Sequence, residues 1–83
     1  MDERASGIGG SERIVDARPT LAAGGEPFSE IMEAAAQVEV GGSLVVFAPF
    51  EPVPLEGVLG EQGFGYIAEE LENGDWRVEF RRG

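Results

Sequence analysis

The sequence predicts a two-layer α/β sandwich of the α+β type, with element order βαβαββ and a mixed four-stranded sheet carrying two helices on one face. Three observations predict it. Two strand-type runs, Arg13-Ile14-Val15-Asp16-Ala17 and Ser43 to Ala48, are separated by a helix-patterned segment, which is the spacing of a parallel pair joined by a crossover. The stretch Ala48-Pro49-Phe50-Glu51-Pro52-Val53-Pro54-Leu55 holds three of the five prolines and lets neither strand nor helix run through it. Asn73-Gly74 sits between two alternating segments, the strongest short-range signal of a hairpin. Right-handed crossovers then place both helices on the same face, and no element is left to cover the other face.

The elements follow in chain order. Residues 1–11, rich in Gly and Ser, read as a flexible N-terminal tail, and residues 12–83 as the single folded domain. Arg18-Pro19 ends the first strand, and Thr20 to Gly25 reads as a loop of small residues. Pro27 suits the first helical position, where its missing N–H is no loss. Glu26 and Glu30 place negative charge at the positive end of that helix's dipole. Phe28, Ile31, Met32 and Ala35 form one apolar stripe, and Gly41-Gly42 stops the helix after Gln37 or Val38. The second strand is apolar throughout from Leu44, as a strand covered by neighbours on both sides requires. Val53 precedes a proline and so avoids helical geometry, which starts the second helix at Pro54. Leu55, Val58 and Leu59 supply its buried stripe, and Gly63 its left-handed stop, with Phe64 reaching back to Leu59. Gly57 and Gly60 weaken it by about 1 kcal/mol each. A two-residue loop at Asn73-Gly74 pairs Leu71 with Trp76 and Ile67 with Phe80. That register puts Ile67, Leu71, Trp76, Val78 and Phe80 on the core face and Tyr66, Ala68, Glu70, Arg77, Glu79 and Arg81 on the other. Glu69 alone fits badly, falling on the apolar face opposite Val78.

Composition removes whole classes of chemistry. The chain has no Cys and no His, so it offers no thiol nucleophile, no disulfide, no thiolate metal site and no imidazole base. No cofactor is implied. A net charge of −10, from 16 acidic residues against 6 arginines and no lysine, repels nucleic acid and anionic membranes. A basic protein partner, or simple solubility, fits that charge. Adaptation to high salt is a lesser reading, because 13 of the 16 acids are Glu. No segment approaches the ~18 apolar residues of a membrane span, and no charged-then-apolar leader opens the sequence. The expected location is the cytoplasm, as a monomer or weak homodimer.

Carboxylates are therefore the candidate reactive groups. Glu26 and Glu51 both follow strands of the parallel pair, and ligands of α/β sheets favour the edge where such strands end. Glu26, Glu30 and Glu51 converge if both helix starts meet there. Dipole complement and solvated charge are the plainer account of all three, since no spaced Asp/Asn/Gly loop for a hard cation is present. Gly24-Gly25 before a helix invites a phosphate, but Glu26 repels one and no GxGxxG or GxxxxGK[ST] pattern accompanies it. The proline stretch is first a rigid connector; Phe50, if exposed, makes it an anchor for a partner. Trp76 and Phe80 read as core, and Arg81-Arg82 as a solubilising pair.

With this order and these motifs the chain resembles the TusA/SirA-like family of small sulfur carriers. Val15-Asp16-Ala17-Arg18 resembles that family's strand motif, and Glu26-Pro27 stands where its Cys-Pro step opens the first helix. The chain is more similar to a cysteine-less branch catalogued as a domain of unknown function. That likeness lies at Gly24-Gly25-Glu26-Pro27-Phe28, along the proline stretch, at Gly63-Phe64 and at Trp76-Arg77-Val78, and covers about Arg13 to Arg82. The resemblance implies the fold and a helix-start surface for docking. It does not imply sulfur transfer, because a carboxylate at Glu26 cannot carry a sulfane sulfur as a thiolate does. The expected function is a non-catalytic interaction or accessory domain. Arg18, Glu26, Pro27, Phe50, Glu51 and Pro52 are its candidate contact residues, with the open sheet face around Tyr66 and Arg77 as the other candidate surface. The alternatives are a carboxylate-based ligand or metal binder or enzyme, drawing on Glu26, Glu30, Glu51 and Asp16, and a docking partner in sulfur relay.

Overall fold

A computed structural model describes residues 12–83; the tail expected over residues 1–11 lies outside the described residues. The elements are β1 (Glu12–Asp16), α1 (Arg18–Ala22), α2 (Phe28–Ala36), β2 (Ser43–Ala48), α3 (Val53–Glu61), β3 (Phe64–Glu70) and β4 (Trp76–Arg82). The sheet order is β1-β2-β4-β3. β1 and β2 pair in parallel, with Ile14 beside Val45. β2–β4 and β4–β3 are antiparallel, so the sheet is mixed as expected.

Alternation decides the layers. Val15 of β1, Leu44 and Val46 of β2, and Val78 and Phe80 of β4 join one core with Ile31 and Ala35 of α2 and Leu55 and Leu59 of α3. Both crossover helices therefore lie on the same face. Ile14, Val45, Phe47 and Ile67 alternate to the opposite face, where Val45 is buried between its register neighbours Ile14 and Glu79. The apolar run of β2 matches burial on both its faces: Leu44 and Val46 lie in the core, and on the other side Val45 is buried and Phe47 half-buried.

Four expectations are corrected. The loop over Thr20 to Gly25 begins instead inside a one-turn helix, α1. Pro19 lies in its first turn, where a proline is tolerated, and Asp16 accepts the Arg18 N–H at 3.0 Å, so the strand's end is also the helix's start. α3 begins at Val53 rather than Pro54. Pro52, at φ −82° and ψ 68°, makes an inverse γ-turn closed by Val53 N–H to Glu51 C=O at 2.9 Å, which delivers Val53 into helical geometry. The buried positions of α3 are Leu55, Glu56 and Leu59, with Val58 only half-buried.

The fourth correction is the hairpin register. β3 is shifted by one residue: Ile67 faces Glu79, Ala68 faces Val78 and Glu70 faces Trp76. Tyr66 and Ala68 thereby move to the core side, and Ile67 moves outward to 72% exposure. A two-residue type I′ loop needs positive φ at both central residues, and among the described residues only glycines have it, Gly74 at +89° included. Asn73 does not adopt a positive φ. The chain takes a three-residue loop instead, a turn closed by Gly74 N–H to Leu71 C=O and then the pair Leu71 N–H to Asp75 C=O. Glu69 consequently faces Arg77 rather than Val78.

Candidate functional site

β1 and β2 run in parallel, so their C-terminal ends, and the segments leading into α2 and α3, lie at one edge of the sheet. A groove of about 190 Å³ opens there. Its floor is Ala17, just past β1, and Val46 and Ala48 of β2, with Ile31 and Leu55 from the helices. Leu21, Pro27 and Phe28 form one wall, and Phe50, Pro52 and Pro54 the other. Proline supplies much of both walls because the chain leaves two helix starts here, and proline is the residue that fits a helix start with a fixed φ. The lining is almost wholly apolar, and Glu26 is its one ionisable member.

Two aromatic side chains stand open at the rims of the groove. Phe28 is 42% and Phe50 52% exposed. For Phe28 this departs from the expected core stripe: it occupies the first position of α2 and overhangs the groove, whereas Ile31 and Ala35, further along the helix, are buried.

Of the candidate residues, Glu26, Pro27, Phe50 and Pro52 line the groove together. Glu26 is already engaged: its carboxylate accepts the backbone N–H of Phe28, satisfying one of the free donors at the start of α2. That interaction fills the place an external anion would take. Glu51 is on the same loop as Phe50 but does not line the groove, and Glu30 and Asp16 do not line it either. The carboxylates therefore do not converge there, and among the described residues no group of three or more acidic side chains is placed to hold a metal ion.

Arg18 is used inside the fold rather than at the groove. Its Nε and Nη2 both bond the Asp16 carboxylate at 2.8 Å, and its Nη1 reaches Asp75 beside the hairpin turn at 2.7 Å. The guanidinium also stands 5.2 Å from the centre of the Phe47 ring. One side chain thus ties the end of β1 across β2 to the start of β4. The paired Arg18 holds the Asp16 carboxyl below its ordinary 3.8, chiefly through their side-chain hydrogen bonds. The two carboxylates in turn raise the Arg18 pKa further.

The residue that sequence reasoning missed is Glu56. It is 4% exposed, and its Oε2 is buried with no hydrogen-bond partner. Burial pushes its carboxyl above the ordinary 4.5; the nearby Glu51 carboxyl adds to the rise, and the Tyr66 hydroxyl opposes it. The helical period left the choice open. At about 100° per residue, Val58 and Glu56 flank the Leu55–Leu59 line to equal extents. Periodicity alone does not choose between them, and hydrophobicity chose Val58.

A family model matches residues 14–82; the family is described as an uncharacterized conserved protein, DUF2249. No curated protein and no solved structure matches the chain. No helix among the described residues is long and apolar enough to cross a membrane.

Proposed function

The chain belongs to the DUF2249 family of uncharacterised conserved proteins, and from that premise we propose that it is a non-catalytic interaction domain whose groove, at the edge where β1 and β2 end, receives an apolar side chain of a protein partner. The observation that carries this reading is the pairing of an apolar floor with two open aromatic rims, Phe28 and Phe50. Exposed apolar surface gathered around a cleft is where binding free energy is available. The partner's anchor is flanked by basic residues, since the host chain carries a net charge of −10 and complementary charge sets the rate and orientation of encounter. Pro27, Pro52 and Pro54 keep the walls stiff, which lowers the ordering cost of binding.

The relationship to the TusA/SirA-like carriers is part of this reading. It is supported by the motif likeness, by the mixed four-stranded sheet with both crossover helices on one face, and by the position of Glu26-Pro27 at the head of α2. On this view the helix-start surface is kept for docking without a sulfur-carrying thiol. A carboxylate-based enzyme or metal site is less well supported, because the groove holds a single carboxyl and that one caps α2.

Affinity capture from the native cell, run side by side with wild type and Phe50→Ala, tests the proposal. The expected result is one protein held saturably by wild type, released by added salt, and held about tenfold more weakly by the variant, as the loss of ~1.4 kcal/mol of aromatic burial implies. Equal capture by both forms contradicts it. If the captured protein is a sulfur-transfer enzyme, the docking role belongs to sulfur relay; indifference to such enzymes removes that version.

A further inference from the structure

Glu56 is a buried carboxyl that the groove does not use. It sits in the first turn of α3, and two titratable groups face it: Glu51 from the proline-rich segment and Tyr66 from β3. Among the described residues no arginine forms an ion pair with it; their ion pairs are Arg18 with Asp16 and Asp75, and Arg81 with Glu79. The Oε2 atom is shielded from solvent and has no donor. An ionised carboxyl in that position leaves a buried acceptor unsatisfied beside a second negative charge, which is costly on both counts.

We propose that Glu51 and Glu56 form a proton-binding site in which one proton, held between the two carboxyls, fastens the proline-rich segment to the first turn of α3. A protonated Glu56 becomes a donor, and the Glu51 carboxylate is the acceptor beside it. Protonation gives the orphaned carboxyl a hydrogen to donate toward that neighbour. Glu51 lies between Phe50 and Pro52, both in one wall of the groove. Loss of the proton to solvent leaves two like charges side by side and releases that wall, so the shape of the groove follows proton occupancy. The proton link exists in the free protein, with or without a partner docked in the groove.

The test is a carboxyl-carbon NMR titration of the full chain, with backbone amides followed in the same samples. In wild type the Glu56 carboxyl carbon is expected to inflect above 4.5, and the amides of Phe50, Glu51 and Val53 to shift at that same midpoint. In Glu51→Gln the Glu56 inflection moves back toward 4.5, because the charged neighbour is gone while burial remains. In Glu56→Gln, which keeps the shape and the neutral hydrogen-bonding end, the amide step disappears. A Glu56 inflection at or below 4.5 overturns the proposal. So does an inflection that ignores Glu51→Gln, and so do loop amides that fail to follow Glu56.

Discussion

The two long helices begin alike and are stabilised differently. Each follows a strand of the parallel pair, each is led by proline, and each carries a glutamate within reach of its first turn. At α2, Glu26 bonds the Phe28 N–H from outside the helix and remains in contact with solvent. At α3, Glu56 lies within the helix, is buried, and has an oxygen with no partner. The same side chain is a cap in one place and a titratable liability in the other. The difference lies in what it faces: free backbone donors and water at α2, a second carboxyl and apolar packing at α3. A helix start thus accommodates a negative charge only when N–H groups point at it and burial does not strip its solvent.

Both helices nonetheless depend on one core, and the largest expected effect comes from removing a helix's hold on it. Leu59→Ala in α3 and Ile31→Ala in α2 should each cost about 2–5 kcal/mol, read as a shift of the urea midpoint. Two buried aliphatic anchors of similar size make the comparison fair. A smaller loss, about 1 kcal/mol, is expected for Glu26→Ala, the typical value of a missing cap. An unchanged midpoint there would remove the contrast between the two helix starts.

The pH dependence separates the carboxyls by sign. The folded-state pKa of Glu56 is raised, so its contribution is complete below 4.5 and is lost as pH rises through the folded value. Asp16 is lowered by Arg18, so its contribution is present above 3.8 and is lost as pH falls through the folded value. Urea midpoints across pH should therefore decline on both sides. Glu56→Gln should flatten the alkaline limb alone, and Asp16→Asn the acid limb alone. The smallest effect sharpens the account of α3 as the helix of lower intrinsic propensity. Gly57→Ala and Gly60→Ala have open space for a Cβ and no positive φ, so each should gain about 0.5–1 kcal/mol in the same assay.

Much of this architecture was legible in the residues. β2 was read to its ends because an apolar run bounded by Gly42 and Pro49 leaves no other register. The stop of α3 at Gly63 was legible because only a left-handed residue fits it; its φ is +97°. α1 was not legible, since Pro19 reads equally as a strand terminator and as a first-turn residue, and one turn is too short for a periodic signal. The hairpin slipped by one residue because Asn73-Gly74 serves two loop types. The misfit at Glu69 was the local sign of that slip, and pairing it with Arg77 resolves the misfit. At the groove, Pro27, Phe50 and Pro52 were recognisable as candidates because prolines at two helix starts must share the sheet edge. The overhang of Phe28 and the burial of Glu56 were not, because each depends on how α2 and α3 seat on the sheet rather than on their own periodicity.

The central claim is that the groove between the two helix starts is the docking surface. Hydrogen–deuterium exchange on the chain with and without its captured partner tests it directly. The account predicts slowed exchange confined to residues 26–31 and 48–56 around the groove, with the β3 edge at Ile67 unchanged. Protection at Ile67 and Arg81, with the groove segments exchanging as in the free chain, would contradict it.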